Sequence, residues 1–196
     1  MMFAAFSGLA AGLLHVFSGP DHLAAVAPLA ADSSRSQWKT GLQWGIGHTT
    51  GVLIIACLLL RLREQLPLDL ISGYSERLVG AALILVGGWG AWKASRSGFR
   101  PHRHSHSGTS FAMGTLHGLA GSSHLFGVLP ALAFATQTDS ILYLTGFGVG
   151  AVMGMSVFTS AVGLLNRMIP HRHSSGLLYA SSAAALVIGG FWLVGR

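Results

Sequence analysis

The sequence predicts an all-α integral membrane protein, with six transmembrane helices forming two inverted three-helix repeats and the first and fourth helices interrupted. Three observations carry that expectation. Charged residues make up only 9% of the 196-residue chain and hydrophobic ones 51%, with a mean hydropathy of +0.57, whereas soluble domains carry roughly 25% charged residues. Six apolar stretches come close to the ~20 residues that a bilayer-spanning helix needs. Finally, the second half of the chain repeats the first.

Taken in order, the apolar stretches cover residues 3–31, 40–60, 77–92, 111–135, 141–165 and 176–194. The first contains Ser18-Gly19-Pro20-Asp21, a poor sequence for an unbroken helix. Residues 1–17 also resemble a cleaved signal peptide, but no basic segment precedes the apolar run, which argues for a retained span. The third stretch is the shortest and is expected to borrow residues from its flanks. Residues 1–98 then form the first repeat, 99–110 a His-rich cytoplasmic loop and 111–196 the second repeat, all within one membrane domain. The 27 glycines suit spans that pack closely.

Twelve Lys and Arg against six Asp and Glu give a net charge of +6. In a soluble protein that balance would suggest nucleic acid. Here the basic residues lie between apolar runs, where they set orientation, and no nucleic-acid partner is expected. Arg35, Lys39, Lys93, Arg96, Arg100, Arg103, Arg167 and Arg172 fall on one side; Arg61, Arg63, Arg77 and Arg196 fall on the other. The positive-inside rule puts the larger group in the cytoplasm. The expectation is a multi-pass protein of the cell (plasma or inner) membrane with both termini outside. Cys57, the single cysteine, permits neither an internal disulfide nor a dithiol redox pair.

The repeat has an offset of 102. Gly12, Leu14, His15, Gly19, His22, Leu23, Val26, Pro28 and Ala31 recur as Gly114, Leu116, His117, Gly121, His124, Leu125, Val128, Pro130 and Ala133. Val86-Gly87-Gly88-Trp89 matches Ile188-Gly189-Gly190-Phe191 at the same offset, and Thr40, Gly41 and Gly45 match Thr145, Gly146 and Gly150 at 105. Chance matches of Leu, Ala and Gly are common in apolar sequence, but two His seven apart together with a Pro are not. Three spans per half is an odd number, so the halves must insert in opposite senses. Binding sites of such proteins lie near the midplane, at the repeat interface, often on interrupted helices.

Ionisable groups at membrane depth cost roughly 2.5 to 3.5 kcal/mol and by default serve function. Inside the spans they are His15, Asp21, His22, His48, His117 and His124. Imidazoles suit divalent transition metals, and a carboxylate adds charge to offset the ion. Seven helical residues advance about 10.5 Å. On a straight helix His15 and His22 would therefore share a face but not an ion. Either there are two stations along a path, or the helix unwinds at Gly19-Pro20 and brings the rings together. Met153, the counterpart of His48, is a weaker candidate, since Met usually packs. A bland alternative gives each His an interhelical hydrogen bond, and a proton relay is the intermediate one. In the loops, His102, His104, His106, His171 and His173 form a second His-rich group, equally compatible with weak metal binding and with a solvated loop.

At these residues the chain resembles the nickel/cobalt transporter family of bacterial membrane permeases, in its short six-span, urease-accessory-like branch. His15-Val-Phe-Ser-Gly-Pro-Asp21-His22 is similar to the family's His-x4-Asp-His signature, with five intervening residues instead of four. Trp44-Gly-Ile-Gly-His48-Thr-Thr is similar to its Leu-Gly-His-Ser-Thr segment, and Gly150-Ala-Val-Met-Gly154-Met155 to a late Gly-Met segment. An acidic segment of the longer members is missing here. The resemblance implies secondary transport of Ni²⁺ or Co²⁺, carried as substrate with no resident cofactor. His15, Asp21 and His22 would bind first, and His48, His117 and His124 would complete the site or hand the ion on. Ligation needs neutral imidazoles, so binding should weaken below about pH 6.

An enzyme is not expected. An intramembrane metallohydrolase would want His-Glu-x-x-His, and no Glu lies inside a span. Two readings remain beside the transporter: a non-transporting, metal-holding accessory protein for urease or hydrogenase maturation, and a transporter of another ion. Expected partners are the divalent ion and the lipid bilayer. A homo-oligomer and a cytoplasmic metallochaperone are compatible with either reading.

Overall fold

A computed structural model describes residues 1–32, 37–62, 68–96, 107–120, 123–168 and 174–194. Among them are eight helices: α1 (Met2–Ser18), α2 (Pro20–Asp32), α3 (Gln37–Leu62), α4 (Leu68–Ser95), α5 (Ser107–Ala120), α6 (Ser123–Ala133), α7 (Gln137–Met168) and α8 (Ser174–Val194). The order is twice the same: two short helices in succession, then two long ones. The helix α5 starts at Ser107, inside the loop expected over 99–110.

The break between α1 and α2 follows from two residues. A residue before proline is disfavoured in the helical region, and proline itself sits well at the first position of a helix. Gly19 accordingly takes φ −92°, ψ 97°, and its N–H donates to the His15 carbonyl, closing the last turn of α1. Pro20 opens α2, whose first turn holds Asp21, where a carboxylate meets the positive end of the helix. The two helices meet at 73°. The interruption expected in the fourth apolar stretch lies at residues 121–122, outside the described residues.

Three stretches are long and apolar enough to cross a membrane: Gln37–Leu58, Gln137–Met168 and Ser175–Val194; the bent pair of α1 and α2 makes a fourth candidate. Several hydroxyls on these helices are satisfied one turn back: Thr50 donates to the Ile46 carbonyl, Thr145 to Ile141 and Ser156 to Val152, each at 2.8 Å. Phe3, Phe6, Leu85, Val157 and Phe191 point outward, as a lipid-facing surface requires.

The α1–α7, α3–α5 and α3–α7 pairings rest on glycines at four-residue spacing. α1 lies along α7, α3 along both α5 and α7, and α4 along α8. A Cβ on Gly8 or Gly12 would fall on the carbonyl oxygen of Tyr143 or Phe147, and one on Gly146 or Gly150 on that of Ala5 or Leu9. The same reciprocity joins Gly47 and Gly51 of α3 to Gly114 and Gly118 of α5. Backbones approach this closely only where side chains are absent. The register also fixes direction. α1 and α7 run parallel, as do α3 and α5; Gly41 against Met155 and Gly45 against Val152 make α3 and α7 antiparallel.

Both α2 and α6 are tied to α7. Asn166 donates to the Ala31 carbonyl at 3.2 Å, and the Tyr143 hydroxyl donates to the Gly127 carbonyl at 3.0 Å. The main core cluster, with Val16, Ala25, Trp44, Leu83, Ala151 and Met155, lies beside the α1–α2 break.

Candidate metal centre

Because α2 leaves α1 at an angle, residues seven apart in sequence come together. The ring centroids of His15 and His22 are 4.4 Å apart, where a continuous helix would separate them by about 10.5 Å. Of the two arrangements the sequence left open, the structure has the broken one. His48 enters from α3, 5.0 Å from His22 and 5.5 Å from His15, and His117 enters from α5, 4.6 Å from His22. Asp21 is the lone carboxylate of the cluster. Its Oδ1 stands 3.0 Å from His22 Nδ1 and its Oδ2 3.2 Å from His117 Nε2.

Five of the six expected ligands therefore converge. Relative exposure is 0% for His22 and His48, 3% for Asp21 and 4% for His117; His15 is half-buried. His124 lies on α6, but its side chain is outside the described residues, as are His102, His104, His106, His171 and His173. Met153 is exposed in a separate apolar groove with Ile46, Thr49 and Val152, away from the cluster, while Met155 is buried core.

The ligand atoms form two groups, His15–His22–His48 and Asp21–His22–His117, each with its atoms within 4.8 Å of one another. Around one ion with bonds of about 2.1 Å, neighbouring ligand atoms stand roughly 3 to 3.5 Å apart. Small side-chain rotations close that difference. A carboxylate only accepts, so the His22 nitrogen facing Asp21 carries the proton and its other nitrogen keeps the lone pair. That is the carboxylate–histidine arrangement that orients metal-binding imidazoles.

Two aromatic residues that the polar inventory passed over complete the site. Trp44, fully buried, stacks on His48 with centroids 5.2 Å apart and planes at 15°, and lies 5.3 Å from His117. Phe147 lies 5.3 Å from His15. Trp44 was findable, since it precedes His48 by four residues and so shares its helix face. Phe147 comes from α7, and no local pattern marks it. Gly19, marked in the sequence as the point of the break, also has a role in spacing the site. A Cβ there would run into the His22 ring and the Asp21 carboxylate. A cavity of about 450 Å³ reaches the centre at the break, lined by Ala11, Leu14, His15, Ser18, Gly19, His22, Gly127, Pro130 and Tyr143.

Similarity to known proteins runs over most of the chain. It is 34% identical to the "Chloroplast protein FOR GROWTH AND FERTILITY 2" of Arabidopsis thaliana over 95% of its length and 55% of the relative's. For "FOR GROWTH AND FERTILITY 1" of the same plant the figures are 32%, 95% and 57%, so the chain spans little more than half of either. It is 30% identical to the urease accessory protein UreH of Bacillus sp. (strain TB-90), over 80% of this chain and 75% of that one. No protein-family model matches the chain, and no solved structure does.

Proposed function

The chain belongs to the family of the urease accessory protein UreH, and from that premise we propose that it is a secondary transporter of a divalent transition-metal cation, Ni²⁺ or Co²⁺. The observation that carries the reading is the meeting of Asp21 with His15, His22, His48 and His117 at a helix break, with a cavity leading to it. Buried imidazoles with one carboxylate are a donor set for such ions, and an interrupted helix is where transporters place their sites. His124 joins the ligands by its equivalence to His22 in the repeat. The ion is cargo, no catalytic residue is assigned, and the protein is read as a non-enzyme.

We read the fold as six spans in two inverted repeats. With α1 parallel to α7, α7 antiparallel to α3 and α3 parallel to α5, α1 and α5 run oppositely, as inverted halves require. Asn166 beside Ala31 and the chain's first amino group 2.8 Å from Asp139 fit the sidedness drawn from the basic residues. On this reading the cell (plasma or inner) membrane holds the protein with both termini outside. The plant relatives make a chloroplast membrane the alternative.

The test is flux in liposomes holding only the purified protein and an entrapped metal indicator. Wild type should pass Ni²⁺ or Co²⁺, and His22→Ala and Asp21→Asn should each lose more than about tenfold. Unchanged flux in both variants refutes the reading. The relative's name favours a second one, a metal-holding accessory protein; tight binding with no wild-type flux would decide for it.

A further inference from the structure

We propose that this centre is two overlapping stations that share His22, so that the chain holds one ion at a time and passes it between His15–His22–His48 and Asp21–His22–His117. The ligand atoms divide in this way, and His22 is the only residue in both groups. It sits between the other rings, 4.4 Å from His15, 5.0 Å from His48 and 4.6 Å from His117 by centroid. One imidazole has one lone-pair nitrogen to offer at a time, and two dications this close in a low-dielectric interior repel strongly. Both effects disfavour simultaneous occupancy, so the chain should hold one ion at a time.

The two stations differ in chemistry and in access. The first has three nitrogen donors and no charge of its own. There Asp21 acts through its 3.0 Å contact to His22 Nδ1 and orients the ring. In the second, Asp21 ligates directly and its charge offsets the ion. The cavity is lined by His15 and His22 but not by Asp21, His48 or His117. An ion arriving through it meets His15 and His22 of the uncharged station before Asp21 and His117, which do not line the cavity. The handover, though not the two ligand sets, rests on the transport reading.

Co²⁺ titration of the purified protein in detergent tests the ligand sets, with calorimetry for affinity and visible absorption for coordination. Wild type should bind one ion. His15→Ala and His117→Ala should each keep binding within about tenfold, because the other station is intact, whereas the double variant should lose far more than the product of the two, as should His22→Ala alone. The visible bands of the single variants should differ, three nitrogens in His117→Ala against two nitrogens and an oxygen in His15→Ala. His15→Gln and His117→Gln repeat the measurement with side-chain volume kept, and size exclusion checks folding. Two ions per chain, additive losses or identical spectra would overturn the stations. In liposomes, both single variants should bind Co²⁺ yet lose its flux; flux retained in either overturns the handover. Absent wild-type flux with the binding pattern intact would refute transport and leave the ligand sets standing.

Discussion

Gly19 is where a single residue decides the most. Its φ of −92° is open to any amino acid, so glycine is not required there by backbone conformation. It is required by space, since a methyl group would collide with the His22 ring and the Asp21 carboxylate. Gly19→Ala should keep the helices and push those two side chains out of register. A loss of metal affinity of about tenfold or more is expected, by analogy with disturbed outer-shell partners. Calorimetry beside circular dichroism checks it; wild-type affinity in a folded variant would show that the Asp21–His22 contact does not matter. The chemistry of the site was legible at this scale because ionisable residues in apolar sequence are few. Their partners were not: Asp21–His117 joins residues 96 apart in the chain, and Phe147 reaches His15 from another helix.

At the scale of helices, the interfaces depend on missing side chains. Gly12 of α1 lies against the Phe147 carbonyl, and Gly150 of α7 against that of Leu9. Gly12→Leu should force α1 from α7 and move His15 with it. A strongly lowered thermal midpoint in detergent is expected, because overpacking a tight contact costs about 1–3 kcal/mol or more. Gly88 and Gly190 have open space where a Cβ would stand. Gly88→Ala and Gly190→Ala should be neutral or stabilising by up to about 1 kcal/mol, through helix propensity alone. Equal midpoints for Gly12→Leu and Gly88→Ala would contradict the packing. Composition announced close packing through 27 glycines, but which of them touch a partner depends on register, and helical periodicity does not encode a neighbour's offset.

For the whole molecule, the proposed sidedness is testable without metal. In a Cys57→Ser background, single cysteines replacing Met2 or Leu62 should react with an impermeant thiol reagent added outside right-side-out vesicles. Cysteines replacing Gln37 or Arg96 should react only after permeabilisation. The reverse pattern would invert the orientation drawn from the basic residues. Cation–π contacts at the edge proposed to be inner, Lys93 over Trp89 at 4.9 Å and Arg96 over Trp92 at 3.9 Å, fit a membrane boundary at the end of α4.

By itself the sequence determined that the molecule is all-helical and apolar enough to cross a membrane, the place of the α1–α2 break and the short roster of ionisable residues within apolar sequence. Each is written locally: hydropathy needs only a window, Gly19-Pro20 breaks a helix through its own sterics, and a repeat is visible by comparing the chain with itself. Only the tertiary structure decided that His15 and His22 meet, that His48, stacked on Trp44, and His117 join them, and that the candidate ligands fall into two groups around one shared ring. Those facts turn on a bend angle and on the sliding register of glycine-lined helices, and both are settled by long-range packing that no window of residues contains.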